Sequence, residues 1–246
     1  MKSKMINDGK QVREIADRFA DDLQVELAAR WEAWQLDLSR KELHEVVGAL
    51  LARQVTLAVE FAQVPACWNY HVGPLFLRAM ADVYITLAWI FNEPTERLER
   101  AQKFIHFGLG QEKLQLEHRH AEIKRKGREL STEERLHSES VKAWIDAQQY
   151  SFLTEVNVGS WSDLTIRKMA EEAGCIDFYN YVYQPWSGVA HSQWQHVGRY
   201  NVEHCAYPLP LNHLVPAAPM LYSDLHLLYR AGKYAEKALR LFDEKA

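Results

Sequence analysis

Apolar residues recur at intervals of three and four along almost the whole chain, and no strand-like alternation bounded by tight turns competes with them. The spacing therefore predicts an all-α fold. Val12, Ile15, Phe19, Leu23, Leu27 and Trp31 mark a first helix that ends near LDLSRKE, where Ser39 and Glu42 have the spacing of a capping box for a second. The second runs to about Gln63 and stops at Pro65. After the connection ACWNYHVG, Pro74 suits the first turn of a third helix, which Asn92 and Pro94 close. A long fourth helix runs from near Thr95 into EIKRKG, with Gly127 as a left-handed cap.

Ser131 and Glu134 form a second capping box, opening a fifth helix expected to reach about Glu155. Ser162 or Asp163 is expected to cap a short sixth, which Gly174 ends. CIDFYNYVY is a seventh helical piece interrupted by Pro185, and an eighth is expected from about Trp186 to Tyr200. YPLPLNHLVPAAP is the one proline-rich loop, and a last helix runs from about Met220 to Phe242. With no internal repeat or linker, the expectation is one helical bundle domain over residues 1–246, of about eight or nine helices.

Composition narrows the function classes. With 246 residues, 48% of them hydrophobic, the chain can bury a sizeable core. A net charge of -4 gives no global attraction to polyanions, so nucleic acid would need a local basic patch. The basic run HRHAEIKRKGR is one such patch, or a solvated helix end. Three widely spaced cysteines without a CxxC pair fit a reducing compartment. The opening residues lack an apolar run of signal-peptide length, and a cytoplasmic protein is expected. VGPLFLRAMADVYITLAWIF has the length of a membrane span, but Arg78 and Asp82 in its middle would each cost about 2.5 to 3.5 kcal/mol there. A core helix and no membrane partner are expected instead.

Those two charges form the first candidate site. Arg78 and Asp82 lie four apart on one helix face, so they form either a buried salt bridge or an anion-binding arginine held by its carboxylate. The second candidate is a polar stripe spaced by four: Tyr179, Tyr183, Ser187, His191, Gln195 and Arg199. Ser187 and His191, one turn apart, have the spacing of a nucleophile and base or of a hydrogen-bonded core pair. Arg78, Asp82 and His191 are expected to converge on one pocket, because a shared network satisfies buried charges better than separate ones.

The segment RAMADVYITLAWI, followed by WSDLTIRKMAEEAGCIDFYNYVYQPWSGVAHSQW, resembles the bacterial family of unknown function DUF5677 over roughly residues 70 to 200. The resemblance implies that Arg78, Asp82, Tyr179, Tyr183, Ser187 and His191 are its defining polar set. It implies no reaction. More distantly, the chain is similar to the HEPN group of helical bundles, many of them metal-independent ribonucleases of toxin and phage-defence systems. That similarity implies an arginine to stabilise the phosphorane and a histidine to move the 2'-hydroxyl proton, commonly from an Arg-x4-6-His motif. Arg199 to His204 and Arg100 to His106 have that spacing.

In that reading His191 or His204 is the general base, Arg78 or Arg199 stabilises charge, and Tyr179, Tyr183 and Gln195 help bind. No cofactor is required. The partners would be RNA or a small anionic ligand, with a homodimer or an antitoxin-like protein as further possibilities. The alternative is a non-enzymatic ligand-binding or regulatory bundle. A third possibility is a carboxylate-bridged metal site built from Glu117-x-x-His120 and Glu134-x-x-His137, although the charged surroundings of both motifs suit surface residues better.

Overall fold

A computed structural model describes residues 9–147, 160–206, 213–220 and 222–246. Helix α1 (Gly9–Ala33) lays Val12, Phe19, Leu23 and Leu27 against the core. Before α2 (Lys41–Gln63) the chain makes a 3₁₀ turn at Leu38–Arg40. The expected capping box of Ser39 and Glu42 is replaced there. Asp37 accepts from the backbone N–H of Ser39 at 2.9 Å and from its hydroxyl at 2.6 Å, so Ser39 opens the 3₁₀ turn instead of capping the α-helix.

Pro74 sits in the first turn of α3 (Gly73–Asn92), where its missing N–H costs nothing. This helix is long and apolar enough to cross a membrane, yet 72% of its apolar window is buried inside the bundle. It is the core helix. Helices α2, α10, α6 and α8 pack around it, α1 lies on α2 and α10, and α4 lies on α2 and α3. Leu77, Met80, Ile85, Leu87 and Ile90 of α3 are fully sealed.

Helix α4 (Arg97–Arg125) ends as its sequence requires, with Gly127 at φ +65 and its N–H bonded to Lys124 O at 3.0 Å. The capping box at the start of α5 (Thr132–Ala147) also forms. The Ser131 N–H donates to Glu134 Oε2 at 2.8 Å, and the Glu134 N–H donates to Ser131 Oγ at 3.2 Å. The expected extension of this helix to Glu155 lies outside the described residues. Neither Ser162 nor Asp163 caps α6 (Ile166–Glu172). Thr165 does, accepting from the Lys168 N–H at 3.2 Å, while buried Ser162 accepts from Leu164 N. Gly174, at φ +66, ends α6.

The segment expected to break at Pro185 does not break. Helix α7 (Ile176–Phe178) runs through a π-helical turn at Tyr179–Tyr183 into α8 (Gln184–Ala190). Proline in an α-helix clashes with the carbonyl four residues earlier and cannot donate to it. The wider π turn, in which the Gln184 N–H reaches back to Tyr179 O, relieves that conflict without ending the helix. The interruption comes later, at His191–Gln193, where Ser192 takes φ +50. The expected single helix to Tyr200 is therefore α8 and a separate α9 (Trp194–Tyr200).

After α9 comes a strand pair that the periodicity does not show. Strand β1 (Val202–His204) pairs antiparallel with β2 (Leu214–Pro216), Glu203 opposite Val215. Three residues per strand are too few for a legible alternation, and Pro216 is tolerated at the end of an edge strand. The fold remains all-α around this small ladder. Helix α10 (Leu225–Lys245) starts later than Met220 because Asp224 is its cap, accepting from the His226 N–H at 2.9 Å. Buried Gln54 ties α2 to α10 through Tyr234 O at 3.0 Å. Arg30 ties α1 to α10 through both carboxylate oxygens of Asp243, at 2.7 and 2.8 Å.

Candidate functional site

Arg78 and Asp82, one turn apart on α3, form an ion pair, and the Arg78 guanidinium also donates to the Tyr183 hydroxyl. The guanidinium carbon lies 3.8 Å from the centroid of the Tyr183 ring, and Tyr179 stacks on Tyr183 at 5.0 Å. The Arg78 side chain keeps 19% of its surface and Asp82 35%. Burial pulls Arg78 below the usual arginine range and Tyr183 above the usual tyrosine range, but an arginine stays charged in a protein. Its Nε is buried without a partner. The cation is thus committed to a carboxylate, a hydroxyl and a ring.

The neighbouring stripe follows from the register of α3 against the segment that crosses it. Phe178 meets Tyr84 at 4.7 Å, Tyr183 meets Arg78, and His196 meets His71 at 5.3 Å, so the two run antiparallel. One turn beyond Tyr183, Ser187 falls level with the first turn of α3 and is half-buried. His191 is exposed at the end of α8, and its backbone N–H donates to Ser187 O at 3.0 Å. Among the described residues no side-chain bond joins His191 or Ser187 to Arg78 or Asp82, and the network at Arg78 is made by Asp82, Tyr183 and Tyr179. The break at Ser192 falls after His191 and ends the helical spacing for Gln195 and Arg199.

Past that break, Gln195 donates to Gln193 Oε1 at 2.6 Å, and both amides lie over Gly188, where a Cβ would come within 2.6 Å of Gln195 Nε2. Arg199 is exposed in the last turn of α9 and His204 is exposed on β1, so the Arg-x4-His pair is divided between two elements. Arg100 is 7% exposed, donates to Trp89 O, and pairs with Glu96 at 3.1 and 2.6 Å beneath the Trp89 ring. It is an internal brace. The two Glu-x-x-His motifs do not meet as ligands either. His120 bonds Ser138 at 2.9 Å, Glu134 is held by Arg128, and no cluster of three metal-ligating side chains occurs among the described residues.

Two features escaped the sequence pattern. The first is a cluster on the ACWNYHVG connection, where His71, His196, Tyr200 and Tyr70 gather. Tyr70 donates to Asp224 Oδ2 at 2.8 Å. The residues come from three distant stretches, and only the unusual polarity of NYH in an apolar surround hinted at them. The second is a groove of about 440 Å³ between α3, α7 and α10. Its floor is Tyr84, Phe178 and Tyr234, and Lys233, Lys237 and Arg240 stand at its edge with Glu236 and Glu244. Lys233 and Arg240 both pair with Glu236, at 2.8 and 2.9 Å. Lys237 makes no ion pair among the described residues. Its Nζ lies 4.9 Å from the Tyr84 centroid and 5.7 Å from that of Phe178.

An all-helical bundle with a central Arg-Asp-Tyr network is the class of protein these features define. Residues 44–205 match the family of unknown function DUF5677, and the chain belongs to that family. The match begins in α2 and ends just past β1, and so takes in more of the N-terminal half than the sequence resemblance suggested. No curated protein and no solved structure matches the chain.

Proposed function

We propose that the protein is a non-enzymatic bundle that binds a small aromatic anion in the groove between α3, α7 and α10. The observation that carries this reading is Lys237, a cation without a carboxylate partner, poised above the rings of Tyr84 and Phe178. Aromatic walls with one placed charge suit a flat ring bearing a phosphate or carboxylate, and the volume is that of a small-molecule site. The committed state of Arg78 and Arg100 supports the same reading, since neither offers a free fork to a substrate phosphate. Calorimetric titration with adenosine 5'-monophosphate and with adenosine is the test. The nucleotide should bind more tightly than the nucleoside, and Lys237→Ala should weaken it about ten- to a hundredfold, the loss of one charge-assisted hydrogen bond. Equal affinity in wild type and variant would exclude the groove.

A second reading, a HEPN-like metal-independent ribonuclease, rests on exposed His191 one turn from Ser187, level with the start of α3. In it His191 takes the 2'-hydroxyl proton, and Arg78 stabilises the phosphorane after exchanging a present partner for the substrate. Growth and total RNA on expression of wild type beside His191→Ala decide it. RNA cleavage lost in a variant that keeps its melting temperature supports the ribonuclease, and intact RNA with the wild type removes it.

A further inference from the structure

Helix α9 has one buried residue, His196, at 9% exposure. Its imidazole stands edge-on to His71 at 5.3 Å and tilted against Tyr200 at 5.0 Å. His71 in turn meets Tyr200 at 5.6 Å, and Tyr70 stacks parallel to Tyr200 at 6.0 Å. Among the described residues α9 meets the connection before α3 through a set of rings, two of them imidazoles. With α9 docked, Gln193 and Gln195 lie over Gly188, beside Ser187.

We propose that the His71–His196 contact is a proton-sensitive latch that keeps α9 docked over the Gly188 end of α8 and releases it on acidification. This goes beyond the ligand-binding reading and does not depend on it. A proton on either ring opposes a proton on the other across the 5.3 Å that separates them. No carboxylate bonds either imidazole among the described residues. The groups facing the pair are Tyr70 from the connection and Tyr200 from α9 itself. Asp224 is taken by the Tyr70 hydroxyl and the cap of α10, and Arg230 stands behind Tyr70 as a further positive charge.

The sign follows from burial. Desolvation first, and His71 second, lower the docked His196 below its ordinary 6.5. The undocked state therefore binds more protons as pH falls. Docking is at full strength above 6.5 and weakens as pH drops through that value toward the lower docked one. Release also frees the ladder side of the chain, because α9 leads directly into β1 and Asn201 O accepts the Ala217 N–H at 2.9 Å.

Hydrogen–deuterium exchange of residues 194–200 tests this on the full chain at about pH 7.5 and about pH 5.5, corrected for intrinsic rates. Exchange should quicken at the lower pH by a factor that grows with the depression of the His196 pKa and levels off at about tenfold, because about pH 5.5 lies only one unit below the ordinary 6.5, while α3 stays protected. His196→Phe keeps the ring contact without the proton and should abolish the difference. His71→Gln should shrink the difference. Equal protection of 194–200 at both values in the wild type overturns the latch, as does a loss of protection that persists in His196→Phe. If His196→Phe fails to fold, NMR titration of the wild-type His196 ring decides: a midpoint below 6.5 that rises in His71→Gln supports the latch, and a midpoint at 6.5 or above overturns it.

Discussion

The Tyr183 side chain contacts Arg78 twice over, with its ring 3.8 Å from the guanidinium carbon and its hydroxyl accepting a guanidinium hydrogen. Removing the hydroxyl alone leaves a half-buried N–H without an acceptor while the ring stays in place. Tyr183→Phe should therefore cost about 1 to 2 kcal/mol, read as a fall of roughly 2 to 4 °C in Tm per kcal/mol for a chain of this size. In an Arg78→Met background the same change should cost almost nothing, so the double-mutant cycle must show coupling. Strict additivity would mean the hydroxyl contact carries no energy.

Gly48 carries the ring of Trp31 directly on its backbone, and a Cβ there would overlap the six-membered ring. Trp31 is further fixed by His44 at 4.6 Å, which stacks on Trp34 at 4.2 Å. An alanine usually gains about 1 kcal/mol over glycine inside a helix. Here the Trp31 ring, itself 44% exposed, must swing off His44 and Trp34, and the lost ring contacts, about 0.5 to 1.5 kcal/mol each, should outweigh that gain. Urea denaturation of Gly48→Ala should show a lower midpoint, and adding Trp31→Ala should make the alanine at 48 stabilising. A single variant more stable than wild type would contradict the contact.

Glu134 is the acid-sensitive element of the turn between α4 and α5. The Arg128 fork, with both bonds at 2.7 Å, and the Ser131 N–H hold its carboxyl down to about 2 from an ordinary 4.5. Because the folded value is depressed, this contribution is complete above 4.5 and is lost as pH falls toward about 2. NMR titration should place the Glu134 midpoint near the lower value, and Arg128→Gln should move it back toward 4.5. In Glu134→Gln that pH-dependent step should vanish from the stability profile.

Helices α1 to α4 and α10 are legible because each carries an apolar stripe long enough to be read, and the sequence also marks the ends of α4 and α6, at Gly127 and Gly174, and the start of α5, at the Ser131–Glu134 box. The short pieces are less legible. Ser39, Ser162 and Asp163 look like caps, but a neighbouring Asp37 or Thr165 takes the role, and local competition of that kind leaves no periodic trace. The Arg78–Asp82 pair and its tyrosines were visible in spacing alone. Gln195 and Arg199 leave the stripe because one residue at positive φ, Ser192, breaks the helical count after His191. His71, His196 and Lys237 meet their partners only through tertiary packing, which spacing cannot show.

The π turn at Tyr179–Tyr183 acts on the helix as an inserted residue acts on a screw thread. Each residue turns an α-helix by about 100°, and the wide turn takes up the extra one, so the residues downstream keep their phase relative to Phe178. Trp186 is thereby aimed at α10, where its indole N–H donates to the Tyr234 hydroxyl at 3.1 Å. A single-residue insertion at Asn180, where the wide turn already takes up one extra residue, would turn Trp186 and Ser187 by about 100° away from their present neighbours, and a deletion would close the turn to a regular α-helix and set Pro185 against the carbonyl four residues earlier. In this segment, residue count is therefore constrained more tightly than residue identity. Conservative substitutions at exposed Asn180 and Tyr181 should be tolerated, and insertions or deletions there should not.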